Sequence, residues 1–325
     1  MAIKLRKPQV RKQGLKVLVW GESGSGKSRY SLSGWKKQIV VDSEAKIGVV
    51  EGNEKYNSEI VGILDSSNYY DVTELMGEII KTPSMCNTLV VDSETNIYNS
   101  TQIACLQVEE NRAKRKKGEV EDANLSQRAW GRIKNNYTRA KLLRQQLSSQ
   151  GVTIISVAQS EPITQQVGTE RVVVGHKPIL AKTSEFEYDV ILHFYTEKDL
   201  ATGELKYLCE VDKDSTDTFK VGTKINNPTY ENTYAKYVES KGDLEAVETG
   251  YSKAIDKEIA MSEEENKSHE SLVEEFVALF KEMKTKNPES ATTIPALLKE
   301  HGIDSYKKPE HFDALKTVVE KMKNM

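Results

Sequence analysis

Residues 21–28 read Gly21-Glu22-Ser23-Gly24-Ser25-Gly26-Lys27-Ser28, which fits the pattern GxxxxGK[ST]. An apolar run at residues 15–20 leads into this loop, and a helix is predicted to begin at about Lys27. The glycines let the backbone bend so that successive amides face one anion, and the helix dipole adds to the attraction. All eight residues are therefore predicted to hold a triphosphate, with Lys27 on the β- and γ-phosphates and Ser28 on Mg²⁺.

Short apolar runs recur along the chain on both sides of helical patterns. Helices are predicted at 72–80 and across most of 96–148, which the basic stretch 112–118 interrupts. This alternation predicts an α/β fold with a mostly parallel central sheet that is covered on both faces. The predicted strands after residue 20 lie at 38–42, 60–64, 88–92, 152–157, 189–195 and 206–211.

Polar side chains stand at the ends of these strands, where ligands bind in open α/β sheets. Asp92 ends one buried strand and is predicted to hold Mg²⁺ together with Ser28. Two carboxylates are candidates for activating a water: Glu44 lies two residues beyond the second strand, and Glu94 two residues beyond Asp92. Gln159 follows the strand at 152–157 and is placed to sense a γ-phosphate. Spacing alone leaves the choice between Glu44 and Glu94 open.

Four segments in this order, GESGSGKS, IVVDSEAK, LVVDSET and IISVAQS, resemble the RecA-type recombinase core. The resemblance covers about residues 14–225 and is strongest to short phage relatives described as single-strand annealing or nucleotide-binding (AAA-type) proteins. It implies a RecA-like P-loop NTPase fold that takes ATP and Mg²⁺ and assembles into a ring or filament. It also implies that Glu44 is the general base and that Gln159 couples the γ-phosphate to a DNA-binding loop. The strand at 152–157 would lie between the P-loop strand and the Asp92 strand.

Single-stranded DNA is the partner that this resemblance implies, and two segments are candidates for contacting it. One candidate segment, at about 160–183, is expected to be a second DNA loop and contains Arg171 and Lys177. Trp130 lies between two arginines but is expected to belong to the core. Lys213 and Lys220 are candidates for reaching a neighbouring subunit's ATP. The other candidate segment for contacting DNA is a basic run that follows the helix after Asp92. Its cations are Arg112, Lys114, Arg115, Lys116 and Lys117.

The chain has 325 residues, just above the size at which single cores tend to split, so a large domain with a small appendage is expected. Its formal net charge is only −3, so nucleic-acid binding must come from local patches. Three scattered cysteines and the lack of a long apolar run predict a cytoplasmic protein, in the host cell if it is phage-encoded. The predicted parts are a basic arm at 1–14, the ATPase core at 15–225, an extension and linker at 226–270, and a helical module at 271–325.

The function expected from these patterns is that of a DNA-dependent ATPase in recombination, annealing or repair. One alternative is a nucleotide-gated module with negligible turnover that binds DNA or a partner. Another alternative is a P-loop kinase that acts on a small molecule. The helices of the C-terminal module are expected to contact a replication or recombination protein.

Overall fold

The apolar runs of the sequence form one sheet in a computed structural model of the chain. The structure describes residues 8, 10–50, 53, 59–115, 123–241, 250–286 and 290–324. The strands are β1 Lys16–Gly21, β2 Gln38–Asp42, β3 Ile60–Leu64, β4 Thr88–Asp92, β5 Thr153–Val167, β6 Glu170–Pro178, β7 Val190–Lys198, β8 Leu205–Asp214 and β9 Lys224–Asn226.

The strand order in the described residues is β3-β2-β4-β5-β1-β7-β8-β9. Neighbouring strands from β3 to β7 are parallel, whereas β8 and β9 are antiparallel. The mostly parallel sheet predicted from sequence is therefore confirmed. Strand β5 lies between β1 and β4, as the resemblance implied. This order sets Gly21 beside Gln159 and Asp92 beside Val157 at the carboxyl edge of the sheet.

Helices cover both faces of the sheet, since the central strands bury alternate residues against each face. Val40, Val90 and Ile155 face the cluster that includes Trp35, whereas Leu89 and Ile154 face the opposite cluster. The helices are α1 Lys27–Leu32, α2 Tyr69–Lys81, α3 Glu94–Arg115, α4 Gln127–Ser149, α5 Ala235–Glu239, α6 Gly250–Lys286, α7 Ser290–Glu300 and α8 Phe312–Lys323. Short 3₁₀ helices lie at Ile47–Val49, Pro83–Met85, Ser184–Glu187 and Pro309–His311.

The segment expected to be a second DNA loop is instead an antiparallel hairpin. Strand β5 continues past the sheet to Val167 and pairs with β6. Gly168 has a φ of 63°, so it supplies the left-handed backbone that a two-residue hairpin turn needs. The prediction of a loop at 160–183 was wrong for most of that range because it relied on the resemblance rather than on this Gly-Thr turn.

The C-terminal part of the chain is helical, and its boundary differs from the predicted one. The chain divides into two compact units, residues 1–249 and 250–325. Helix α6 continues through 261–268, part of the predicted linker, because glutamate and lysine favour helices even without an apolar stripe. In the second unit Phe276, Leu315 and Val318 are buried in one apolar cluster. The apolar residues of these helices therefore form a small core.

Among the helices in the described parts of the chain, none combines the length and the apolar character that crossing a bilayer requires.

Candidate phosphate-binding site at the carboxyl edge of the sheet

The glycine-rich loop joins β1 to α1, as the sequence predicted. Gly24 and Gly26 have φ values of 77° and 97°, which residues with a Cβ atom rarely adopt. Among the hydrogen bonds of the described residues, none uses the amide of Gly24 or Gly26. The Lys27 ammonium donates to the carbonyl oxygens of Gly21 at 2.9 Å and of Glu22 at 2.6 Å. A phosphate chain entering the loop would find free amides and a lysine held by exchangeable contacts.

Ser28 and Asp92 meet across the site, although 64 positions separate them in sequence. The Ser28 hydroxyl donates to Oδ2 of Asp92 at 2.6 Å. Burial raises the pKa of Asp92 above its ordinary value, and the nearby Glu44 carboxylate adds to the effect. Burial also lowers the pKa of Lys27, although Asp92 and Glu44 oppose that shift. The site therefore contains an incompletely compensated carboxylate beside a hydroxyl, which are ligands that Mg²⁺ accepts.

Glu44 reaches the same site because its own strand end folds back. The Asp42 carboxylate accepts hydrogen bonds from the amides of Glu44, Lys46 and Ile47, which closes the turn after β2. Ala45 has a φ of 51°, so the turn includes a left-handed residue. This turn directs the Glu44 side chain towards the end of β4.

Three donors hold the Glu44 carboxylate. Its Oε1 accepts hydrogen bonds from the Ser93 hydroxyl and from Nε2 of Gln159, both at 2.6 Å. Its Oε2 pairs with the ammonium of Lys46. Burial alone would raise the pKa of Glu44, but the bonds from Lys46, Ser93 and Gln159 outweigh it and hold the pKa below its ordinary value. The structure thus joins two of the predicted catalytic residues, Glu44 and Gln159, in direct contact.

Glu94, the other candidate base, points away from the site into the protein interior. It is 4% exposed and accepts hydrogen bonds from Arg144 at 2.9 Å and from the Ser156 hydroxyl at 2.9 Å. Arg144 also pairs with Glu187 at 2.8 Å, so one guanidinium joins two buried carboxylates. Glu94 therefore has a structural partner, and Glu44 is the carboxylate available to the loop.

A cavity of about 650 Å³ connects these groups, and its size suits a nucleotide. Besides the glycine-rich loop, its walls include Glu44, Asp92 and Gln159. Sequence reasoning did not single out the other lining residues, which are Arg29, Lys46, Ser93, Val157, Ser160 and Tyr207. Of these, Lys46 and Ser93 had a signal, since each is adjacent or nearly adjacent to a predicted carboxylate. Tyr207 had none, because β8 is distant in sequence.

A smaller cavity of about 180 Å³ adjoins the first beside Gly26. The Tyr207 ring forms one wall, and the Arg29 guanidinium lies 5.6 Å from the ring centroid. Asn227 and Thr229 line the far side. The two cavities share Ser25, Gly26, Arg29 and Tyr207, so a ligand whose phosphates lie in the loop has room for a nucleoside here.

The candidates for contacting DNA lie outside this cavity. Arg112, Lys114 and Arg115 lie in the last turn of α3, so the helix continues through residues expected to interrupt it. Cations are favoured at a helix C-terminus, which accounts for the difference. Lys116 and Lys117 lie outside the described residues. On the hairpin, Arg171 is exposed and Lys177 pairs with Glu161 at 3.1 Å.

Trp130 is 46% exposed on α4, so the prediction that it belongs to the core was wrong. Its neighbours Ala129 and Ile133 supply the buried face of the helix instead.

Lys213 and Lys220 lie near the amino edge of the parallel strands, opposite the chain's own glycine-rich loop. Lys213 is opposite Ile191 in the ladder of β7 and β8, and its ammonium donates to the carbonyl oxygen of Tyr188 at 2.6 Å. Lys220 is exposed. Neither reaches the phosphate site of its own chain.

A mostly parallel sheet with a glycine-rich loop, a lysine, a Ser-Asp pair and a strand-end glutamate defines a P-loop NTPase. A family model described as an AAA domain matches residues 13–218. The chain belongs to that family. Among solved structures it is similar to a KaiC-like protein from the hyperthermophilic archaeon Pyrococcus horikoshii OT3, with a TM-score of 0.39 and 17% sequence identity. That match covers 66% of this chain and 85% of the other. No curated protein matches the chain by sequence.

Proposed function

We propose that the protein binds and hydrolyses ATP with Mg²⁺, and that single-stranded DNA stimulates the reaction. The observation that carries the proposal is the joined position of Glu44 and Gln159 beside the Ser28–Asp92 pair. These residues come from the ends of three neighbouring strands and from the glycine-rich loop. A site that only held phosphate would not need a carboxylate and an amide in contact with each other beside the loop.

In this proposal the Glu44 carboxylate accepts a proton from the attacking water. The chemistry that Mg²⁺ supplies when it is held by Ser28 and Asp92 is charge neutralisation on the β- and γ-phosphate oxygens. The Lys27 ammonium exchanges its carbonyl contacts for phosphate oxygens. The nucleoside lies in the smaller cavity, with its base on Tyr207.

Gln159 gives the site an idle state. While its amide donates to Glu44, that bond helps to hold the pKa of the carboxyl low and makes it a weak base. When the amide turns to a γ-phosphate oxygen, Glu44 loses one donor and becomes more basic. The turn of one amide therefore connects nucleotide occupancy to the strength of the base.

The test is turnover measured with ATP and Mg²⁺ at low salt, with and without single-stranded DNA. We expect measurable hydrolysis that DNA increases and that Lys27→Ala abolishes together with calorimetric nucleotide binding. Each lost charge-assisted phosphate contact should cost about 1.5–3 kcal/mol. Binding of ATP without hydrolysis, both with and without DNA, would refute the proposal that the protein is an ATPase.

DNA contact is proposed for the basic end of α3, for Arg171 and Lys177 on the hairpin, and for Lys116 and Lys117. The density of positive charge at the end of α3 supports this proposal. Each phosphate contact to a single strand should contribute about −0.7 to the slope of log affinity against log salt concentration. Changing Lys114 and Arg115 to Glu should weaken anisotropy-detected binding and flatten the slope. The matched control makes the same charge change at Lys281 and Lys284 on α6 and should leave both unchanged.

A second candidate function is a nucleotide-gated module with negligible turnover. The contacts that favour it are those that restrain the reactive groups, since Lys27 is held by its own loop and Glu44 by three donors. In that case ATP would change only the shape or the assembly of the protein. A Glu44→Gln variant that behaves like the wild type in every nucleotide-dependent property would support this candidate.

The proposal extends to assembly, partners and location. In a ring or filament, Lys213 or Lys220 of one copy would reach the nucleotide of the next, and a solution mass that depends on ATP tests this. The helices of the second unit are proposed to contact a replication or recombination protein. The cysteines of the described residues are buried and unpaired, which fits the cytoplasm, including that of a host cell if the protein is phage-encoded.

A further inference from the structure

Thr95 lies at the root of the β5–β6 hairpin, three residues after Asp92. Its side-chain oxygen accepts a hydrogen bond from the amide of Gln159 at 2.9 Å, where the chain enters the hairpin. The same hydroxyl donates to the carbonyl oxygen of Ile179 at 2.8 Å, where the chain leaves it. The Ile179 amide in turn donates to the carbonyl oxygen of Gln159 at 2.8 Å. One hydroxyl thus ties both strands of the hairpin to the first turn of α3.

The start of α3, together with Ser93 just before it, also holds the Glu44 side of the site. Ser93 donates its hydroxyl to Glu44, and Thr95 fixes the backbone of Gln159. Gln159 then closes the ring by donating its side-chain amide to Glu44. Thr95 is completely buried, so water does not replace its hydroxyl in either bond. The position of the Gln159 amide relative to Glu44 is therefore set by a residue outside the cavity.

We propose that Thr95 is a positioning residue that couples movement of the hairpin 160–178 to the contact between Gln159 and Glu44. The inference rests on the proposed function, because it names how a ligand on the hairpin would act on the ATP site. A force on the hairpin reaches Gln159 through the two bonded strands. Thr95 supplies the fixed point against which that force turns the amide. Without the Thr95 hydroxyl, the hairpin can move without carrying Gln159 along, and the Gln159 amide loses its fixed position relative to Glu44.

The decisive variants are Thr95→Val, which removes the hydroxyl at nearly constant volume, and Thr95→Ser, which keeps it. Thr101→Val is the matched control, because Thr101 is buried on the same helix and its hydroxyl donates to the carbonyl oxygen of Ile97 within that helix rather than to the hairpin. A misplacement of about 1 Å at a reacting group costs about 10²-fold in rate. We therefore expect Thr95→Val to lower kcat by roughly that factor while ATP affinity stays within about twofold.

Thr95→Ser should restore most of the kcat, and Thr101→Val should match the wild type. Residue-resolved amide exchange gives a second readout that needs no hydrolysis. The amides of Gln159 and of the hairpin should exchange faster in Thr95→Val, and ATP should no longer change their exchange, while the glycine-rich loop keeps its response to ATP.

The outcomes separate the inference from the proposed function. Wild-type kcat and exchange in Thr95→Val would overturn the inference and leave the ATPase standing, as would an equal loss in Thr101→Val or a loss that Thr95→Ser does not rescue. If the wild type never hydrolyses ATP, the proposed function fails. The exchange comparison then decides the coupling alone, since an ATP response of the hairpin that survives in Thr95→Val overturns it.

Discussion

Exchanging one carboxylate for an amide at each of two positions separates the chemical role from the structural one. In Glu44→Gln the amide oxygen replaces Oε1, so the hydrogen bonds from Ser93 and Gln159 are kept. The pair with Lys46 is lost, but the Lys46 side chain is 69% exposed and such pairs contribute at most about 1 kcal/mol. The loss of a general base lowers the rate about 10²–10⁴-fold. We therefore expect a large fall in kcat with nearly unchanged ATP affinity and melting temperature.

Glu94→Gln should give the opposite pattern. Its Oε1 accepts from Arg144 and Ser156 in an interior where the side chains of Glu94 and Arg144 are 5% and 3% exposed. Weakening a buried bond to a charged group costs about 1.5–3 kcal/mol. In a unit of this size each kcal/mol shifts the melting temperature by about 2–4 °C, so a fall of roughly 3–12 °C is expected.

The assay combines steady-state ATP hydrolysis, calorimetric ATP binding and calorimetric melting on both variants. All rates are measured well below both melting temperatures, so that unfolding does not contribute. The reasoning is refuted if folded Glu94→Gln loses turnover while Glu44→Gln keeps it. It is also refuted if both variants lose turnover equally with unchanged melting temperatures.

Three further predictions concern the metal ligand Asp92, the contact between Tyr207 and the nucleobase, and the buried charges around Arg144. Because burial raises the pKa of Asp92, its ionised form destabilises the folded state at neutral pH, and this cost disappears as pH falls through the folded pKa towards the ordinary one. Asp92→Asn should thus raise the melting temperature of the nucleotide-free protein at pH 7 yet abolish the stabilisation by Mg²⁺ and ATP; a lower melting temperature would contradict this. Tyr207→Ala should weaken calorimetric ATP binding by about 1–3 kcal/mol through lost stacking while tripolyphosphate binding is unchanged, and an equal loss for both ligands would exclude the base from the smaller cavity. Arg144→Met leaves two buried carboxylates uncompensated and should cost about 3–5 kcal/mol in urea unfolding, so a loss below 1 kcal/mol would contradict the role given to Arg144.

The sheet and the phosphate loop were predictable because their signals are local. Strand β2 matches its predicted bounds at Gln38–Asp42, and β4 matches at Thr88–Asp92, since each is an apolar run that ends in a carboxylate. The glycine-rich loop between β1 and α1 can be recognised from the spacing of its own glycines, lysine and serine. In each case the residues that determine the structure are adjacent in sequence.

The choice between Glu44 and Glu94 was not predictable, because both follow a strand end by two residues. Their different fates depend on partners far along the chain. Arg144 and Ser156 draw Glu94 inward from 50 and 62 positions away. Gln159 holds Glu44 at the cavity from 115 positions away. Spacing along the sequence contains no information about such partners until the strand order is known.

Ligand binding at this site must replace contacts that already exist. A phosphate that attracts Lys27 takes the ammonium from the carbonyls of Gly21 and Glu22, and a metal at Asp92 takes its carboxylate from Ser28. Gln159 likewise leaves Glu44 if it turns to the γ-phosphate. Because each new contact costs an old one, we expect a modest affinity for ATP, with much of the interaction free energy used in rearranging these groups. Because Thr95 ties the backbone of Gln159 to the root of the hairpin, we expect a nucleotide that turns the Gln159 side chain to affect the hairpin as well.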